Sequence, residues 1–205
     1  RDFEKFKGIE HDVDIIYLTY DELIKLYNHD FENSRLNHVK DFYCMGCFCG
    51  LRFSDLSQLN RANITETHIN ISIQKTKTQN HIISLNKFSK EILNKYLGTI
   101  YEPLPSISQQ KFNDYIKECC EIVEINKPTT ITWFIGTKKV QNTLPKYQLI
   151  TSHTARKTFI TNSLILGMEP KAIKKIANIK KDAVLDKYMK ITEEYTDKQM
   201  DKWNK

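Results

Sequence analysis

His153 and Arg156 stand three residues apart in the segment Thr151-Ser152-His153-Thr154-Ala155-Arg156-Lys157-Thr158-Phe159. Downstream, Phe159, Ile160, Leu164, Ile165 and Met168 recur at helical spacing, so the polar Thr-Ser pair marks a helix start close to His153. Two side chains three apart on an opening turn point the same way, toward whatever anion the free backbone N–H groups attract. An imidazole, a guanidinium and a helix N-terminus together make a seat for a phosphate. The plainer reading of the same spacing is a His and an Arg on a solvated helix face. Tyr188 lies about two helices further along and belongs to the same reading.

Two more cationic positions can face that seat. Leu36 to Cys49 reads as a helix that becomes almost wholly apolar toward its end, and Gly50 stops it. In the residues that follow, Leu51, Phe53, Leu56 and Leu59 read as buried, so Arg52 emerges at the edge of a core. A charge persists there only when paired, by Asp55 internally or by an outside anion, and this segment alone allows both. Further on, Ile69, Ile71 and Ile73 alternate with polar residues, and Ile82-Ile83-Ser84-Leu85 resumes the apolar character. The intervening Gln74-Lys75-Thr76-Lys77-Thr78-Gln79-Asn80 makes the tip of a β-hairpin. Lysines at such a tip keep a sheet edge soluble. On a DNA-binding protein the same tip is shaped to enter a groove.

The elements that must hold these residues are mostly helical. Thr19-Tyr20-Asp21-Glu22 is a capping box opening a helix from about Tyr20 to His29, with Leu23, Leu26 and Tyr27 as its apolar stripe. Helical patterns return at Lys87 to Leu97 and Ile107 to Val123, separated by Pro103 and Pro105. Thr129 to Gln141, with Trp133-Phe134-Ile135-Gly136, reads as short β structure and turn. Gly167 stops the His153 helix, Glu169-Pro170 opens another to about Ala177, and Asp182 to Met189 forms a third that ends in Tyr188. Arg1 to Tyr17 carries many charges and no period, as a linker entering a domain does. The tail from Thr192 to Lys205 sets Tyr195, Met200 and Trp203 among charges, amphipathic enough to dock on something.

A length of 205 residues with 40% hydrophobic content supports one large domain with a real core. The net charge of +6 gathers in Lys138-Lys139, Lys174-Lys175 and Lys180-Lys181. That favours an acidic partner, nucleic acid ahead of a membrane surface, although a solvated lysine face produces the same excess. No stretch approaches the roughly 18 apolar residues of a membrane span, and no cleavable apolar leader opens the chain. Five cysteines, an odd number without disulfide-like spacing, suit a reducing, intracellular setting. Cys44-Met45-Gly46-Cys47 has neither a second C-x-x-C nor a nearby His pair, so it reads as buried helix thiols rather than a metal site.

Taken together, Gly-Leu-Arg52-Phe-Ser-Asp55-Leu, Gln-Lys75-Thr-Lys77, Ser-His153-Thr-Ala-Arg156-Lys157-Thr-Phe and Asp-Lys-Tyr188-Met-Lys follow one another in an order that resembles the catalytic domain of tyrosine recombinases, the phage integrase family. The resemblance runs from about Tyr17 onward and is strongest toward integrases of bacterial mobile elements such as conjugative transposons. It implies an α+β, mainly helical fold with a small antiparallel β-hairpin or sheet at one edge. The implied organisation is a catalytic domain over 18–191, a C-terminal amphipathic tail over 192–205, and a linker over 1–17 from a preceding core-binding domain. It also implies that Tyr188 attacks a DNA phosphodiester, giving a 3′-phosphotyrosyl link and a 5′-hydroxyl with no metal or other cofactor. Arg52 and Arg156 would grip the non-bridging oxygens, with Asp55 orienting Arg52. A hairpin lysine would protonate the leaving oxygen, and His153 would hydrogen-bond the phosphate or assist proton transfer from Tyr188.

Lys75 holds the first position of the family's Lys-Thr signature and is favoured as the acid, with Lys77 the alternative; Lys77, Lys157 and Lys180 are also expected to contact DNA. The implied partners are double-stranded DNA, a homo-tetramer formed on two sites through the tail, and an accessory DNA-bending protein, at the nucleoid of a bacterial cytoplasm and not at a membrane. One departure stands out. The family's Gly-His or Gly-Trp pair falls on Asn178-Ile179, so the usual ring nitrogen is absent. Losing one transition-state donor costs about 3 kcal/mol when nothing replaces it, and Asn178 and Lys180 are the neighbours that offer a replacement. A DNA-binding module without turnover and a topoisomerase-like relaxing activity are the alternatives.

Overall fold

Every residue from Val39 to Cys49 is buried, so helix α2 (Ser34–Cys49) is enclosed on all sides and the other elements pack around it. The structure is a computed structural model that describes residues 15–136, 138–189 and 200–201. Asn33 opens α2 by accepting the Arg35 N–H at 3.0 Å, and Gly50 closes it in the left-handed conformation at φ 71°. Two charges inside the apolar run are neutralised locally, as burial requires. Lys40 Nζ donates to the His29 carbonyl at 2.7 Å, while Asp41 accepts from Lys95 at 3.1 Å and from the Tyr96 hydroxyl at 2.8 Å. All five cysteines are free and buried, which matches the reading as core thiols.

Apart from the short α3 (Phe53–Leu56), which no periodic pattern announces, the described helices begin and end within two residues of their periodic patterns. In chain order the helices are α1 (Tyr20–Asn28), α2, α3, α4 (Lys87–Tyr96), α5 (Gln109–Ile122), α6 (Ser152–Ile165), α7 (Pro170–Ile176) and α8 (Asp182–Met189). The Thr19 capping box forms as the sequence predicts: Thr19 N–H donates to Glu22 at 2.8 Å, and the Thr19 hydroxyl accepts the Glu22 N–H at 3.3 Å. Helix α6 crosses α2 closely. A Cβ added at Gly46 would approach the Ala155 Cβ to 3.1 Å, so a glycine is what lets the two backbones meet there.

Strands β1 (His68–Ile73) and β2 (Thr78–Ser84) pair antiparallel, with a register slip between Ile71 and Ile73. Ile69, Ile71, Ile73 and Ile83 point inward, as the alternation predicts. A second hairpin, β3 (Pro128–Ile135) with β4 (Lys138–Pro145), is longer than the short β structure and turn expected over Thr129 to Gln141. Its strands lack a continuous apolar face, and cross-strand polar pairs such as Thr130 with Thr143 at 2.8 Å carry the pairing instead. Trp133, Phe134 and Ile135 stay exposed near its turn.

The fold is therefore α+β and mainly helical, with two small antiparallel sheets among the described residues. One apolar cluster surrounds α2; a second joins α6, α7 and α8 and contains Phe159, Ile160, Leu164, Ile173, Ile179 and Tyr188. Ile16 packs on the first cluster and Ile15 on the second, so the wrapping of the core begins just before Leu18, itself fully buried. Residues 1–14, Tyr195 and Trp203 lie outside the described residues, and Met200 is exposed. No described helix is long and apolar enough to cross a membrane.

Candidate active site

The start of α6 is fixed by neighbours before any ligand is considered. The Ser152 N–H donates to Asn113 Oδ1 at 2.8 Å, and Gln109 Nε2 donates to the Ser152 hydroxyl at 2.9 Å, both from α5. The Thr154 hydroxyl accepts the Thr151 N–H at 3.1 Å. One turn into the helix, Arg156 is buried and its Nη1 donates to the Gly50 carbonyl at 2.8 Å. Gly50 is required by position: its φ of 71° disfavours a side chain, and a Cβ there would meet the Phe159 ring at 2.6 Å. The turn out of α2 and the first turn of α6 are thus locked together.

That lock brings Arg52 toward Arg156. Arg52 caps α3 geometrically, and its Nη1 lies 3.6 Å from the Asp55 Oδ2. Both atoms are buried, and neither has a hydrogen-bond partner among the described residues. The internal ion pair foreseen in the sequence therefore exists, but at a length that leaves the guanidinium with donors for an anion. Burial pushes the Arg156 pKa down to about 10, and the Arg52 charge pushes the same way, while Tyr188 and Asp55 oppose the shift. The Arg156 guanidinium remains charged near neutrality. Its repulsion with Arg52 is what an oxyanion between them would relieve.

His153 projects from the same turn, solvent-exposed at its edge. Its pKa is lowered by desolvation first, then by Lys157, Arg156, Lys75 and Arg52. Both its partial burial and the four cations favour the neutral imidazole. One of these cations, Lys75, stands on the exposed turn between β1 and β2. Lys157 has its own pKa lowered by burial. Tyr188, on the last turn of α8, is 9% exposed; burial raises its pKa and the Arg156 charge pulls it back. The net effect is upward, so the Arg156 charge offsets only part of the penalty that burial places on the phenolate.

Arg156, on α6, is bonded to Gly50 two residues before Arg52, Arg52 is paired with Asp55, and the charges of Arg52, Lys75 and Arg156 bear on His153 as that of Arg156 bears on Tyr188. Lys77 occupies the last position of the same hairpin turn at φ 50° and is exposed. Lys180 sits to one side, where an open cleft of about 360 Å³ also exposes Lys174 and Lys175.

Asn178 and Ile179 resolve differently from the replacement offered by sequence. Asn178 adopts φ 47°, a left-handed backbone that explains why glycine or asparagine suits the position. Its side-chain amide is turned to the first hairpin, donating to the Thr76 hydroxyl at 2.6 Å and to Thr78 at 3.2 Å. Ile179 is buried in the cluster that holds Tyr188. Neither presents a ring nitrogen. Sequence reasoning had no signal for this contact, because it joins residues a hundred positions apart through short polar side chains.

The architecture is the tyrosine recombinase catalytic-domain fold. It matches solved structures of XerA recombinase (18% identity, TM-score 0.63, 93% of this chain and 65% of that chain) and of the catalytic domain of bacteriophage HP1 integrase (15%, 0.60, 92% and 95%). It also matches the Tn1549 transposon integrase in complex with circular intermediate DNA, at 16% identity and TM-score 0.57, over 88% of this chain and 63% of that chain. The chain therefore spans less than two thirds of the XerA and Tn1549 chains. No protein-family model and no curated protein sequence matches it.

Proposed function

We propose that this chain is the catalytic part of a site-specific DNA recombinase that cuts and rejoins DNA through a 3′-phosphotyrosyl intermediate, for integration or excision of a mobile element. The carrying observation is that Arg156, bonded to the Gly50 carbonyl at 2.8 Å, ties the α6 turn bearing His153 to the exit of α2 that leads into Arg52. In this reading the two guanidiniums bind the non-bridging oxygens of one phosphodiester and offset the charge that builds on phosphorus. Neutral His153 takes the phenolic proton as Tyr188 Oη attacks. A P–O(Tyr) bond forms, the bond from phosphorus to the 5′-oxygen breaks, and Lys75 gives that oxygen its proton. The reverse steps reseal the strand, and since the bond energy is kept in the phosphotyrosyl link no cofactor is consumed.

The reading extends to double-stranded DNA as partner, with Lys77, Lys157 and Lys180 on phosphates. A core-binding domain would precede residue 18, and a tetramer on two sites would form through the tail beyond residue 191, with a DNA-bending protein as accessory. Such a protein would act at the nucleoid in a bacterial cytoplasm. Nicked duplexes taken from the ends of the encoding element, incubated with the protein and with Tyr188→Phe, test it: wild type should yield a covalent adduct on a denaturing gel and the Phe variant none.

The buried Ile179 favours one other reading, a DNA-binding module without turnover. Salt-sensitive DNA binding with no adduct from any nicked duplex would establish it.

A further inference from the structure

The first hairpin is fastened to the end of α7 at two points. Midway along β2, the buried His81 donates from Nε2 to the Ile176 carbonyl at 2.9 Å. At its tip, the buried Asn178 amide donates to Thr76 at 2.6 Å and Thr78 at 3.2 Å. The two hydroxyls lie 2.9 Å from each other, and Thr78 returns a 3.5 Å contact to Asn178 Oδ1. Thr76 is the residue between Lys75 and Lys77, so the clasp grips the turn between the two candidate proton donors.

A hairpin turn on its own leaves a lysine at its tip free to sample many positions, and proton transfer requires one of them. The rest of the turn offers little restraint: Lys77 N–H donates to the Gln74 carbonyl at 3.2 Å, and both lysines are exposed. The side chain of Asn178 supplies the restraint from outside. The resemblance-based replacement role, in which Asn178 donates to the phosphate, competes for the same amide group, which has two protons and directs both at threonines.

We infer that Asn178 is a positioning residue that holds the Thr76 turn so that Lys75 is aimed at the leaving 5′-oxygen. The inference rests on the recombinase reading for its chemistry and on the Asn178–Thr76–Thr78 contact for its geometry. A positioning role acts through proton donation, so its loss should disappear when the leaving group needs no proton. A 5′-bridging sulfur meets that condition, because a thiol ionises with a pKa of about 8.5, far below an alcohol.

The test compares wild type, Asn178→Gly, Thr76→Val, Thr76→Ser and Lys75→Ala on nicked duplexes whose scissile 5′-bridging atom is oxygen or sulfur. Glycine keeps the left-handed backbone and removes only the amide. Asn178→Gly and Thr76→Val should cleave the oxygen substrate about 10- to 100-fold more slowly than wild type and the sulfur substrate nearly as fast. Thr76→Ser, which keeps the hydroxyl, should resemble wild type, and adding Asn178→Gly to Lys75→Ala should slow it no further. Equal slowing on both substrates, or no slowing at all, overturns the positioning role; the first outcome would instead make Asn178 a phosphate donor or a folding residue. Hydrogen exchange at residues 74–80 tests the clasp apart from catalysis. It should quicken in Asn178→Gly, and unchanged exchange overturns the clasp. Absence of an adduct from wild type on either substrate sinks the recombinase reading, while the exchange result still decides the clasp.

Discussion

The Arg156 guanidinium is bonded to the carbonyl of Gly50 at 2.8 Å, two residues before Arg52. One helix turn and one helix exit are thereby joined, and the two guanidiniums share a site that no local segment could build. A lysine in place of either arginine keeps the charge but cannot reproduce two parallel N–H donors. Arg52→Lys and Arg156→Lys should each lower single-turnover adduct formation by about 100- to 1,000-fold, the scale of one lost transition-state donor. DNA affinity at fixed salt should change far less.

Gly50 is the pivot of that arrangement. Gly50→Ala would put a methyl 2.6 Å from the Phe159 ring on a backbone that disfavours side chains. A loss of about 1–3 kcal/mol is expected, read as a lower urea midpoint in equilibrium unfolding.

The charge around His153 gives a pH signature. Partial burial first, and neighbouring cations after it, disfavour the imidazolium, so the pKa lies below the ordinary value of 6.5. Lys157→Gln removes one of those cations and should raise the His153 pKa, and bound DNA, which adds negative charge, should raise it further. An NMR titration of the ring protons reads both shifts. A fall in pKa on removing Lys157 would contradict the cluster as described.

Ile179 belongs to the buried apolar cluster that includes Tyr188. Ile179→Val should cost about 0.5–1.5 kcal/mol and Ile179→Ala about 2–5 kcal/mol in chemical denaturation, with adduct formation retained in the valine variant. Loss of cleavage in Ile179→Val without loss of stability would assign the side chain a direct part in the chemistry.

Much of this was legible in the chain because it depends on local rules. The Thr19 capping box, the Gly50 stop, the alternation through Ile73 and the Pro170 start each follow from geometry over a few residues. The pairing of His153 with Arg156 was visible because both lie at the start of one helix. The length of the second hairpin was not, since Thr130 and Thr143 stabilise it by cross-strand pairing rather than an apolar alternation. The Asn178 contact was hidden for a different reason. A short amide finding two hydroxyls across the fold leaves no period or spacing, and only the resemblance drew attention to that position, for another role.

The most direct test is to isolate the covalent adduct, digest its protein and DNA, and locate the nucleotide by tandem mass spectrometry. A 3′-linked nucleotide is expected on Tyr188 and on no other residue. Attachment elsewhere, or an adduct that persists in Tyr188→Phe, would contradict the proposed mechanism.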